Sequence, residues 1–156
     1  MRFNKIILVF FISFISIYPL SIKAQVPPPP EIPQAVTVEE AHQFINEYIE
    51  RFMKLDLDAY MALFSKKAVE NRMLPYADIR EAYRRTIALS HSISYQVKIY
   101  SVQPFTQSTL ISGRYEIIQS LKKRGAQRVF KGNIQWEIIR ENGSLKIREV
   151  NYGRNR

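Results

Sequence analysis

The sequence predicts an α+β domain in which N-terminal helices pack on a curved antiparallel β-sheet. Apolar residues recur at helical three- and four-residue steps as far as His91, and beyond it they alternate with polar ones. The turns between the alternating runs carry the Gly and Asn that hairpins need. With 156 residues there is room for one ordinary domain, and an apolar share of 46% supplies its core. The absence of cysteine excludes disulfide scaffolds, zinc ribbons, lipoprotein attachment and thiol catalysis.

Residues 1–24 read as a secretory signal peptide. Arg2 and Lys5 precede the apolar run from Ile6 to Leu20, and Ser21-Ile22-Lys23-Ala24 ends on a small residue, so cleavage is expected after Ala24. The run is interrupted by Pro19 and is shorter than the ~20 residues of a spanning helix. An uncleaved membrane anchor is the alternative. Cleavage removes Arg2, Lys5 and Lys23 and no acid, so the periplasmic or secreted chain stays basic. Residues 25–36 form a Pro-rich linker, because the run QVPPPPEIPQ lacks backbone donors and holds an extended spacer.

A domain over residues 37–153 follows. Thr37-Val38-Glu39-Glu40 fits a capping box, and Ala41, Phe44, Ile45, Tyr48, Phe52 and Leu55 make one apolar face of a first helix. Asp56 caps a short second helix whose buried side is Leu57, Tyr60, Met61 and Phe64. A third begins near Pro75, with Ile79, Ala82, Tyr83 and Ile87 inside and Arg80, Arg84 and Arg85 outside. Four strands are then predicted: Ile93 to Pro104, Ile111 to Leu121, Gln127 to Arg140 and Ser144 to Tyr152. Lys122-Lys123-Arg124-Gly125 and Asn142-Gly143 are the hairpin turns.

The order of elements resembles the nuclear transport factor 2-like superfamily, with its SnoaL-like and ketosteroid isomerase branches. Tyr48, the Asp56-Leu57-Asp58 turn, Leu63-Phe64 and Ala68-Val69-Glu70-Asn71 carry the resemblance. It implies a cone, a curved sheet wrapped round a long helix, with a pocket at one end. It also implies three isomerase positions: a Tyr donor matched by Tyr48, a base that is here Arg72, and a second acid that is here Gln135. An arginine stays protonated and a neutral amide is a weak oxyanion donor, so isomerase chemistry of that kind is not expected.

Candidate catalytic residues on a SnoaL-like reading are Tyr48, Glu70 and Glu137, with Glu70 placed at the pocket mouth by the resemblance. Candidate ligand-binding residues are Tyr48, Phe52, Tyr83, Tyr115, Gln135, Trp136 and Tyr152, whose apolar bodies and polar tips suit a ring-bearing ligand; the competing and favoured reading of the aromatics is core. No metal or cofactor site is expected, since His42 and His91 have no carboxylate at ligand spacing. Apolar parity turns Ile134, Trp136 and Ile138 inward, whereas the family count turns Asn133, Gln135 and Glu137 inward. On the second reading the apolar row is exposed and forms a homodimer interface through the sheet.

The expected function is therefore an exported, non-catalytic module that binds a small apolar ligand or a protein. A SnoaL-like isomerase, cyclase or hydrolase and an accessory subunit of a cell-envelope complex are the alternatives. Lys122, Lys123 and Arg124 offer an anionic envelope surface a contact, but without interleaved aromatics they do not suit nucleic acid.

Overall fold

The computed structural model describes residues 36–123 and 125–154. The signal segment, the linker up to residue 35 and Arg124 lie outside these residues.

The first helix, α1, is Val38–Met53, and its capping box forms as expected: Thr37 Oγ1 accepts from Glu40 N–H, and Glu40 accepts from Thr37 N–H. Val36, assigned to the linker from sequence, is buried with the core. It occupies the position before the cap, where an apolar side chain folds back on the first turn of the helix. α2 is Leu57–Met61, capped by Asp56, and α3 is Tyr76–Leu89. Phe64 does not extend α2. It opens a strand, β1 (Phe64–Glu70), which is followed by the two-residue β2 (Leu74–Pro75).

The four expected strands are β3 (Ser90–Pro104), β4 (Thr109–Leu121), β5 (Gln127–Glu141) and β6 (Ser144–Arg154), paired antiparallel in sequence order. Asn142 and Gly143 close the last hairpin with φ of 51° and 77°, the pair of left-handed residues that a tight hairpin turn requires. The sheet is mixed and has six strands, because β1 adds parallel to β6 and β2 caps β1 at the edge, giving the order β2-β1-β6-β5-β4-β3.

Parity settles the faces of β5. Ile134, Trp136 and Ile138 are buried against α1, and the intervening residues face out. The count carried from the resemblance is therefore corrected: Gln135 donates to Ser112 Oγ and Glu137 pairs with Arg148, both on the outer face. Between Ser112 and Glu116 of β4 and Lys131 and Glu137 of β5 that face is polar, with Lys131 paired to Glu116 at 2.8 Å. The apolar row that motivated a sheet-to-sheet dimer points into the core. β5 and β6 also approach closely at Gly132. A Cβ on Gly132 would lie 1.9 Å from the Gly153 carbonyl oxygen and 3.1 Å from the Tyr115 ring, so only glycine lets β5 and β6 converge there.

A matched pair of variants tests the faces. Trp136→Glu buries an unpaired charge and should abolish folding in a domain with roughly 5–15 kcal/mol of stability. Asn133→Glu puts the same charge on the outer face opposite Arg114 and should move stability by no more than about 0.5 kcal/mol. Urea unfolding reads both, and a folded Trp136→Glu protein would contradict the assignment.

Candidate functional site

The fold leaves a cavity of about 400 Å³ between α3 and the inner face of the sheet. Its walls are Phe52 from α1, Tyr83 and Leu89 from α3, Ile93 from β3, Tyr115 and Ile117 from β4, Phe130 from β5 and Tyr152 from β6. Among the described residues Glu70 is the sole carboxylate in the lining, and Asn71, Thr86, Gln119, Arg85 and Arg128 supply other polar groups. A larger groove of about 550 Å³ runs along α1 on another side of the molecule. Its charges are already satisfied, Arg51 by Glu47 and the Ala59 carbonyl, Glu40 by Arg140, and Lys146 by the Ala62 carbonyl. The smaller cavity is the better-built site.

Glu70 stands at the end of β1, and the left-handed turn that follows aims its neighbour inward: Asn71 has φ of 50°, and its Oδ1 accepts from Tyr152 N–H at 2.8 Å. The Tyr83 phenol donates to Glu70 Oε2 at 3.0 Å. Tyr83 Oη also lies 3.0 Å from Tyr152 Oη, which in turn lies 2.6 Å from Tyr48 Oη. These four side chains form one hydrogen-bond chain running from the cavity wall into the core.

Each phenol has one proton to give, so an ionised Glu70 sets the direction of the whole chain. Tyr83 commits its proton to Glu70, Tyr152 then donates to Tyr83, and Tyr48 donates to Tyr152. Burial pushes the phenols of Tyr48, Tyr83 and Tyr152 above the ordinary tyrosine range, so all three stay protonated at neutral pH. Burial also raises Glu70 above the ordinary carboxylate value, partly opposed by the Tyr83 hydrogen bond. Glu70 Oε1 has no protein donor among the described residues.

Five sequence-derived candidates meet at this cavity: Phe52, Glu70, Tyr83, Tyr115 and Tyr152. Four do not line it. Tyr48 is fully buried, packed edge-on against Trp136 at 5.7 Å, and its proton is spent on Tyr152. Trp136 is equally buried, a core residue. Gln135 and Glu137 project from the outer face, where Arg148 holds the Glu137 carboxyl below its usual range. Arg72, at the base position by resemblance, is exposed in the turn after β1, 3.7 Å from Glu149. Sequence reasoning missed Gln119, Phe130 and Arg128 as lining residues. Their signal was present: Arg128 and Phe130 share the parity of Trp136 and pair with Gln119 and Ile117 across β4.

No family profile matches the chain, and neither does any curated protein sequence. Solved structures match over the domain. A nuclear transport factor 2-like superfamily protein from Salmonella enterica serovar Typhimurium is 16% identical with a TM-score of 0.66, over 76% of this chain and 90% of that one. The chain has the nuclear transport factor 2-like fold. A protein from Kribbella flavida is 12% identical at a TM-score of 0.66, covering 76% of this chain and 90% of that one. A ketosteroid isomerase-like protein from Erwinia carotovora atroseptica is 14% identical at 0.60, covering 74% and 93%. At these identities the likeness concerns the fold alone.

The raised Glu70 carboxyl makes a linkage prediction. The folded state holds this proton more tightly than the unfolded chain, so its contribution to stability is full below the ordinary carboxylate value and is lost as pH rises through the raised one. Glu70→Gln keeps an acceptor for Tyr83 and removes the titration. The stability difference, variant minus wild type, should grow in favour of the variant as pH rises through that window and then level off, read from urea midpoints. A flat difference would contradict a desolvated Glu70.

Proposed function

We propose that the chain is a small-molecule binding domain whose cavity takes an apolar or ring-bearing ligand with a hydroxyl or amine group donating to Glu70. One observation carries the reading: among the described residues, an aromatic cavity of about 400 Å³ holds a single carboxylate, and one oxygen of that carboxylate has no protein donor. The size suits a small organic molecule, and apolar walls with few placed polar groups are the usual composition of such sites. Tyr83 and Tyr152 fix the carboxylate rather than the ligand, since their protons are already committed.

The desolvated Glu70 favours a second reading. A carboxylate raised by burial is a better base near neutral pH, so Glu70 could take a proton from a bound substrate in an isomerase- or dehydratase-like reaction. On this reading the phenol chain keeps Glu70 in place, and Tyr48 takes no part in the chemistry. The signal-like N-terminal segment and the basic composition support placing either activity outside the cytoplasm, near an acidic envelope.

Native mass spectrometry of the purified protein tests the cavity. Wild type should retain a small molecule that Ile117→Trp, which fills the cavity from β4, loses. Equal retention by both would overturn the reading. With that molecule in hand, Glu70→Gln should weaken binding by about 0.5–1.5 kcal/mol if Glu70 only accepts a hydrogen bond. If Glu70 is a base, the same change should lower turnover by roughly a hundredfold or more with little change in KM.

A further inference from the structure

The charges around the cavity are unevenly distributed, and the imbalance selects among ligands. Two arginines line it. Arg85 is held by Glu81, its Nε donating to Oε1 at 2.7 Å. Arg128, exposed in the cavity lining and opposite Gln119 in the strand register, has no acid within ion-pair distance among the described residues. Further cations lie close to the same opening. Lys122 N–H donates to the Leu89 carbonyl at 3.0 Å, which brings the β4–β5 turn, with exposed Lys122 and Lys123, against the end of α3 that lines the cavity. Leu89 and Phe130, 55% and 40% accessible, add exposed apolar surface to the same lining. The opposite charge sits elsewhere on the wall, on Glu70.

We propose that the ligand is an organic anion, bound with its negative group on the Arg128 guanidinium and its apolar body against Tyr115, Ile117, Phe130 and Tyr152. The inference rests on the cavity being a ligand site and adds the charge and the direction of the ligand. Glu70 repels an anion, so the negative end of the ligand lies at Arg128 and a neutral donor lies at Glu70. A guanidinium without a protein carboxylate is a strong partner for a carboxylate, sulfonate or phosphate, because both members of the charge-assisted pair keep good hydrogen-bond geometry. The surrounding lysines add a positive field that speeds entry and weakens with salt.

Two fluorescent probes with the same apolar body separate charge from shape: anilinonaphthalene sulfonate, an anion, and phenylnaphthylamine, which lacks the sulfonate. Wild type should bind the sulfonate roughly tenfold or more tightly than the neutral probe at low salt. Arg128→Gln should erase that preference and leave the neutral probe's affinity unchanged. Lys131→Gln, on the outer face, should leave the preference intact, and it serves as the control for net charge. Equal affinity of wild type for both probes, or an undiminished preference in Arg128→Gln, would overturn the proposal while leaving the cavity reading standing. Failure of wild type to bind either probe, with Ile117→Trp indistinguishable from it, would overturn both.

Discussion

The hydrogen-bond chain from Glu70 through Tyr83 and Tyr152 to Tyr48 is the constraint on which the site depends. It ties β1 to α3, β6 and α1, across sequence separations of 69 and 104 residues between consecutive phenols. Each link serves packing as well as polarity. Phe52 and Tyr83 meet edge-on at 5.5 Å, Tyr60 and Tyr83 at 4.9 Å, and Tyr115 and Tyr152 at 5.4 Å, arrangements that add roughly 0.5–1.5 kcal/mol per pair beyond burial. The chain also gives the desolvated carboxylate a donor. Without Tyr83, Glu70 would lose its one protein donor among the described residues, at a cost of about 1–3 kcal/mol.

Polar satisfaction in this core is uneven. Among the described residues Tyr60 Oη, Tyr95 Oη and Trp136 Nε1 are buried without a well-formed hydrogen bond, an arrangement that costs stability. All three side chains belong to the ring cluster around Tyr48 and Phe52, where their area and edge-on contacts offset the loss. The chain of paired phenols passes through the same cluster, from Tyr48 in the core to Tyr152 and Tyr83 at the cavity wall. Among the described residues this arrangement leaves Glu70 Oε1 and Arg128 without protein partners in the lining.

Much of the fold was legible in the sequence because its determinants are local. The capping box at Thr37, the cap at Asp56, the period change near His91 and the Asn142-Gly143 turn each act within a few residues, and each forms as expected. β1 was not legible. Phe64 continues the helical spacing of Tyr60 and Met61, and only the parallel ladder with β6, whose nearest partner is Ile147, draws it into the sheet. The face of Trp136 followed from alternation within its own strand, whereas a count borrowed from a resemblance requires strand and turn lengths to be equal and slipped by one residue. The site divided in the same way. Phe52, Tyr83, Tyr115 and Tyr152 were recognisable as inward aromatics. Whether Tyr48 could donate to a ligand depended on Tyr152 and Glu70, partners that no spacing near Tyr48 reveals.

An ionised Glu70 orients the phenols so that Tyr48 has no proton to offer the cavity. Neutron diffraction on deuterium-exchanged crystals, grown at a pH where Glu70 is ionised, locates the three phenolic deuterons directly. The account predicts the Tyr83 deuteron on the line to Glu70 Oε2, that of Tyr152 on the line to Tyr83, and that of Tyr48 on the line to Tyr152. A Tyr83 deuteron turned toward Tyr152, or a Tyr48 deuteron pointing anywhere but Tyr152, would contradict it.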